Sequence, residues 1–274
     1  VNPPAGSVGI NQLSATGTKN STTFLRGDNT FASAGITGID SSADATAITI
    51  DSSENVNIGS TTNVGYGPLQ VGSTSDNNSY IQMLSSVAGQ IHFGDATSGD
   101  AREIGAIQYR HDENVMKLKT SGNVGLQIDS DGEITQPLQP TFMIAQTGAL
   151  SVANGHTLFS TNTTERWDVG GNVSGATFTA PVTGKYFLNY NMLYENASGS
   201  SVFEDIIVTS NRSYAMWRNS SAYSSGSNYL YNALSVIADM DANDTAYVQH
   251  GGGQTATVHH SNGMWPWFQG YLLG

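Results

Sequence analysis

Cysteine is absent from this 274-residue chain, which removes disulfide scaffolding, thiolate-bound zinc and thiol nucleophiles together. Charge is scarce as well. Asp, Glu, Lys and Arg make up 12% of residues, and their balance is acidic at −12. Three associated chains would carry 3 × (−12) = −36, which repels phosphate backbones and excludes nucleic acid as a partner. No apolar run approaches the ~20 residues of a membrane helix, so no membrane insertion is expected. Val1 to Ile10 lacks the basic and apolar blocks of a secretion signal. The chain opens on Val1 and not on methionine, which suits a fragment of a longer protein. Neither H-E-x-x-H nor G-x-S-x-G occurs, so zincin and serine-elbow chemistry lack their signatures. A carboxylate pair for glycoside hydrolysis depends on the fold, not on sequence spacing, and stays open. The reading is non-enzymatic, and no cofactor is expected.

Turn formers are abundant, while the Leu, Lys and Glu that fill amphipathic helices are few. That composition fits an all-β or a disordered chain, and regular Val, Ile, Thr and Tyr runs favour all-β. Of the 25 aromatic residues six precede residue 140 and nineteen follow it, including all four tryptophans. A sandwich needs bulky side chains between its sheets, whereas a narrow fibre does not. Gln136-Pro137-Leu138-Gln139-Pro140 marks the change with two prolines and reads as a short stiff joint. The division expected is therefore 1–40 as an attachment segment, 41–138 as a shaft and 139–274 as a head.

Within the shaft, residues 47–59 and 126–134 each read strand, turn, strand. Aligning Ile50-Asp51-Ser52 with Ile128-Asp129-Ser130 pairs Ile48 with Leu126 and Val56 with Ile134, a two-copy internal repeat. Ile91–Asp95, Ile104–Tyr109 and Val115–Leu118 form a denser knob at about 91–134. Such hairpins have one thin apolar face each and are marginal alone in water. Three chains wound about one axis would bury those faces together, so a homotrimer is expected.

Three stretches resemble known families. Gly17-Thr18-Lys19 through Gly27-Asp28-Asn29-Thr30-Phe31 resembles a motif near the N-terminus of bacteriophage tail fibres, where the last position is usually Trp. Residues 91–134 resemble the fibre segment of similar phage proteins in the order of an F-G-D turn, G-x-I-x-Y and a closing hairpin. Residues 141–274 resemble the C1q-like (tumour-necrosis-factor-like) jelly roll. Phe178-Thr179-Ala180-Pro181-Val182-Thr183-Gly184-Lys185-Tyr186-Phe187 follows that family's core motif, and Phe268-Gln269-Gly270-Tyr271-Leu272 its last strand. The usual L-x-x-G-D-x-V stands altered as Ala242 to Val248. The resemblance implies an all-β chain: an elongated trimeric shaft followed by a C1q/TNF-like jelly-roll head. It also implies a virion protein joined through its N-terminus to other tail or fibre proteins.

Ser210 to Tyr231 is the main binding candidate, carrying Tyr214, Trp217, Arg218, Tyr223, Tyr229 and Tyr231 among Ser, Asn and Gly. Aromatics spaced by small polar residues suit sugar stacking and adaptable hydrogen bonding. The competing reading is that Trp217 and half of the tyrosines fill the sandwich. His250 to Gln254 reads as a second loop that supplies His250 and Gln254. His259 and His260 could each give an imidazole to a metal on a three-fold axis, although strand alternation turns only one inward. Asp129-Ser130-Asp131-Gly132-Glu133 resembles part of a calcium loop without its remaining ligands, and a hairpin turn explains it better. Arg26-Gly27-Asp28 reads as a turn. The expected function is host attachment through a trimeric head, to a cell-surface glycan or outer-membrane receptor. The alternative is a head that mainly trimerises the fibre.

Overall fold

The computed structural model describes residues 16–18, 23–25, 31–33, 48–60, 65, 67–74, 76–195, 202–219, 229–253, 255–261 and 264–274. The chain forms two compact units, Val1–Gln82 and Met83–Gly274. In the first, β1 (Thr23–Leu25) pairs antiparallel with β2 (Phe31–Ser33). The rest of the Gly17–Phe31 motif between Lys19 and Thr30, with Arg26-Gly27-Asp28, lies outside the described residues. β3 (Ile48–Ile50) and β4 (Val56–Ile58) form the expected hairpin, and β5 (Leu69–Val71) adds in parallel to β4.

The second unit begins with a five-stranded antiparallel meander: β6 (Ala88–Phe93), β7 (Gly105–Arg110), β8 (Val115–Thr120), β9 (Asn123–Ile128) and β10 (Ile134–Thr135). A 3-10 turn, Asp100–Glu103, separates β6 from β7. Register sorts the side chains by chemistry. Ile91, Ile107, Leu118 and Leu126 align across four strands. Tyr109, Met116, Ile128 and Ile134 form a second row on the same face. The opposite face is polar, with Gln108 Nε2 donating to Gln90 Oε1 at 2.8 Å and Lys117 Nζ 2.6 Å from Glu113 Oε2.

The internal repeat extends to the turns themselves. Asp51 Oδ1 accepts from the backbone N–H of Ser53 (2.9 Å) and Asn55 (3.0 Å). Asp129 Oδ1 accepts from Asp131 (3.0 Å) and Glu133 (2.9 Å) at the same offsets. Positive φ falls on Glu54 in one copy and Gly132 in the other, at 63° and 86°. The side-chain amide and backbone N–H of Asn55 hold the Asp51 carboxyl below its usual range. Asp129 thus spends an oxygen on closing a hairpin, as the turn reading requires.

The remainder is a jelly-roll β-sandwich. Its strands are β11 (Thr141–Gln146), β12 (Leu150–Val152), β13 (Thr163–Val169), β14 (Val173–Ser174), β15 (Thr177–Thr179), β16 (Gly184–Glu195), β17 (Val202–Thr209), β18 (Ser213–Asn219), β19 (Leu230–Met240), β20 (Thr245–Gly251), β21 (Ala256–Val258) and β22 (Trp267–Leu272). One sheet runs β12-β21-β16-β22-β11-β13 with β19 on the free side of β16; the other runs β14-β15-β20-β17-β18. The longest strands are β16 with 12 residues and β19 with 11, paired with each other along Gly184 to Tyr194. The double-proline joint is a turn closed by Gln139 N donating to Gln136 O at 3.0 Å, and Pro140 O accepts from Leu272 N at 3.0 Å.

The core explains the sequence motif residue by residue. Phe178 stacks on Phe142 at 4.5 Å, and Phe268 meets Phe142 edge-on at 5.1 Å. Such pairs add ~0.5–1.5 kcal/mol beyond buried area. Ala180 is fully buried beside the Pro181 turn. Tyr186 turns its hydroxyl back to donate to Val182 O at 2.8 Å, fastening that turn to β16. A Cβ on Gly184 would stand 2.7 Å from Leu272 Cδ1. In the altered Ala242–Val248 turn, Asn243 adopts φ 75°, a left-handed conformation that asparagine tolerates better than most residues.

Candidate receptor-binding surface

β16 alternates cleanly. Tyr186, Leu188, Tyr190, Met192 and Tyr194 point into the sandwich, while Phe187, Asn189, Asn191, Leu193 and Glu195 point outward. Register carries the outward set across the sheet. Ile237, Phe187, Tyr271 and Thr141 form one row, and Ser235, Asn189, Gln269, Met143 and Trp167 the next. Ile237 is 60% exposed, and Tyr271, Trp167 and Tyr231 are each close to half exposed. Asn191 Oδ1, on this side of the sheet, is buried without a hydrogen-bond partner among the described residues.

The candidate stretch divides among three environments. Tyr214 packs on the core from the inner face of β18. Arg218 shares that inner side, where its charge acts on Tyr190. Trp217 is 63% exposed on the outer face of the five-stranded sheet, opposite Glu204. Tyr231 lies on the outer face of the other sheet beside Leu193, and Tyr229 stands next to the His259 ring. Tyr223 and Gln254 lie outside the described residues. Tyr214 thus fills the sandwich, as the competing reading has it for part of the tyrosines, while Trp217 does not, because period-2 alternation sends the two to opposite faces of a single strand.

His250 is a second correction. It is not in a surface loop but within β20, with 0% of its surface exposed. It belongs to a buried polar cluster. His250 Nδ1 lies 2.9 Å from Asp205 Oδ1, which also accepts from Tyr194 OH at 2.6 Å. Asp205 Oδ2 accepts from Asn232 Nδ2 at 3.0 Å, and Tyr190 OH donates to Asp205 O at 3.4 Å. Burial, with the Asp205 charge, pushes the Tyr194 and Tyr190 hydroxyls above the ordinary tyrosine range. A cluster sealed in this way meets no ligand from solvent. Its signal in the sequence was slight: Asp205 and His250 are polar residues at inward positions of strands that carry other polar residues too, 45 positions apart.

His259 and His260 follow β21, with ring centroids 6.4 Å apart. His259 Nδ1 is 2.9 Å from Glu195 Oε2, and its N–H donates to Leu193 O at 2.8 Å. Among the described residues of one chain, no group of three His, Cys, Asp or Glu side chains is placed to hold a metal. Tyr229 meets the His259 ring edge-on at 5.1 Å, and Trp265 lies 6.3 Å from it. Sequence reading marked Tyr229 and the histidines separately; it missed Glu195 and Trp265, which only strand pairing brings alongside.

No family model matches the chain. Solved C1q- and TNF-type domains are similar to half of it. The globular domain of zebrafish complement 1qA shares 12% identity over 50% of this chain and 98% of that one, with a TM-score of 0.37. Murine APRIL at pH 8.0 shares 12% over 49% of this chain and 99% of its own, also at 0.37. Eiger TNF from S. frugiperda shares 11% over 50% and 94%, at 0.38. The jelly roll itself rests on strand order and register, not on these likenesses.

Proposed function

We propose that this chain is a homotrimeric fibre protein whose head attaches a virion to its host, as the resemblance to phage tail fibres implies. One observation carries the reading: two sheet faces expose large apolar side chains in a single chain. On the meander these are Ile91, Phe93, Ile107, Tyr109, Met116, Leu118 and Ile134; on the sandwich, Trp167, Tyr231, Ile237 and Tyr271. Full burial of such a side chain contributes about 1.5–3 kcal/mol, and these residues, roughly half exposed, forgo about half of it. Apolar patches of this extent mark association surfaces. A second and third copy of the chain supply matching faces around a closed axis, the arrangement that leaves no open end. Asn191 Oδ1 under the sandwich face, buried without a partner among the described residues, is open to a donor from a neighbouring copy. Three weak sites on one head then act together through avidity.

The second reading makes the head chiefly a trimerising device for the shaft, and the breadth of the same two faces favours it. Deleting residues 141–274 separates the two. Trimers that no longer adsorb to cells support host attachment by the head. Loss of trimers altogether supports the assembly role. Soluble trimers that still adsorb overturn the adhesin reading.

A further inference from the structure

We propose that Glu195, Tyr229, His259 and Trp265 form a binding site for an uncharged saccharide, ring-stacked on the aromatic side chains. This rests on the host-attachment reading and names its contact point.

The four residues come from separate segments. Glu195 ends β16, Tyr229 leads into β19, His259 follows β21 and Trp265 precedes β22. Two of these segments are pinned by backbone bonds close by: His259 N to Leu193 O at 2.8 Å, and Gln146 N to Pro266 O at 3.0 Å. The cluster stands at the end of the sandwich opposite the chain's entry. β11 enters with Thr141 beside Tyr271 and reaches Trp267 only at Ala145, and Glu195 lies at the far end of β16 from Gly184. In a fibre whose shaft joins at Thr141, that end meets the cell first.

The chemistry selects the ligand. Tyr229 is 48% and Trp265 40% exposed, with ring centroids 5.1 Å and 6.3 Å from that of His259. Flat aromatic surface held open to water suits the apolar face of a pyranose ring. Sugar hydroxyls also need acceptors and donors at the ring edge. Glu195 provides carboxylate oxygens, oriented by the 2.9 Å contact of Oε2 with His259 Nδ1. The four residues include no lysine or arginine, and the chain carries −12. Sialic acids, uronic acids and phosphorylated sugars are disfavoured by that field. A neutral hexose or N-acetylhexosamine is not.

The full-length protein should be tested on an array of neutral, amino and acidic glycans, alongside Tyr229→Ala, Trp265→Ala and Glu195→Gln. Val182→Ala, exposed at the chain-entry end of the sandwich, serves as the control. Retention on neutral glycans is expected, falling at least about tenfold in Tyr229→Ala and Trp265→Ala, with sedimentation and melting unchanged. Glu195→Gln should weaken retention and Val182→Ala leave it intact. Should Trp265→Ala fail to fold, exposed Tyr229 still decides. Retention confined to acidic glycans, or indifferent to Tyr229→Ala, overturns the site while the head remains an adhesin. So does protein that adsorbs to cells yet retains no glycan. A Tyr229→Ala protein that dissociates assigns the cluster to the contact between copies and also overturns the site. Protein that neither adsorbs nor retains any glycan removes both the site and the attachment reading.

Discussion

His250 Nδ1 approaches Asp205 Oδ1 to 2.9 Å, and both side chains are wholly buried between the sheets. Tyr194 and Asn232 spend their own donors on the same carboxyl group. Removing the hub takes the shared acceptor from His250, Tyr194 and Asn232 at once. The 3.2 Å contact of Tyr194 OH with His250 Nδ1 and the 3.4 Å contact of Asn232 Nδ2 with Met216 O relieve part of the loss, and a donor left buried and unpaired costs roughly 1–3 kcal/mol. Asp205→Ala should therefore destabilise by about 3–5 kcal/mol after partial relaxation. Asp205→Asn keeps one acceptor and should cost less. The check is the urea midpoint, which should fall at an unchanged m-value. Equal midpoints for the two variants would show that the hydrogen bonds do not hold this part of the core.

The same cluster sets an alkaline limit. Folded Tyr190 and Tyr194 have raised hydroxyl pKa values, chiefly through burial, while unfolded tyrosine ionises near pH ~10. Above that pH the unfolded chain releases protons that the folded one retains, so stability is full below it and falls as pH rises. Phenolate absorbance from these residues should appear together with unfolding. Tyr190→Phe should make the decline with pH shallower, and the 3.4 Å bond it loses is long, so its cost at neutral pH should stay below ~1 kcal/mol. An unchanged alkaline slope would count against buried phenol as the cause.

Trimerisation through the meander face is equally testable. Ile107 and Leu118 sit side by side on adjacent strands, both exposed in one chain. Placing a carboxylate there costs a single chain little but buries an unpaired charge in an assembly. Leu118→Glu should convert three-chain species to single chains in sedimentation at neutral pH, with β-sheet circular dichroism retained. Lys117→Glu, on the polar face, should leave the assembly in place.

The repeated turn offers a finer test. Glu54 holds φ 63° where its counterpart Gly132 holds 86°. A non-glycine residue in the left-handed region costs ~1–2 kcal/mol. Glu54→Gly should stabilise its hairpin by up to ~1 kcal/mol after the added unfolded-state entropy, and Gly132→Ala should weaken the other by a similar amount. Hydrogen exchange at the Asn55 and Glu133 amides reads both.

Local signals made much of this architecture legible. The turn at Ala180-Pro181 and the strand that starts at Gly184 were legible because both lie within one contiguous motif, Phe178 to Phe187. Ile50-Asp51-Ser52 and Ile128-Asp129-Ser130 announced the same turn because the Asp carboxylate closes it within five residues. What stayed hidden was non-local. Glycines near His250 suggested a loop, yet pairing of Asp205 with His250 across two strands extends the sheet through it. Which of the aromatics from Tyr214 to Tyr231 face solvent and which fill the sandwich was left open, because sequence proximity says nothing about which sheet each residue joins. Glu195 and Trp265 carried no mark at all until β21 and β22 brought them to the end of β16.

Gly270 shows how tightly the closing strand is specified. A Cβ there would lie 2.7 Å from Leu188 Cδ2, 2.8 Å from Phe142 Cε1 and 2.9 Å from Phe187 O. The first contact is a flexible methyl, but the other two are a ring wedged between Phe178 and Phe268 and a backbone carbonyl. Relief requires either the aromatic stack or β16 to shift, and β16 is paired along its length with β19 and β22. Gly270→Ala should cost about 1–3 kcal/mol as overpacking. Gly270→Ala combined with Phe142→Leu should recover part of the loss by making room beside the new methyl. Thermal melting of the single and double variants tests this; a single variant as stable as the parent would mean that the strand closes over slack the geometry does not contain.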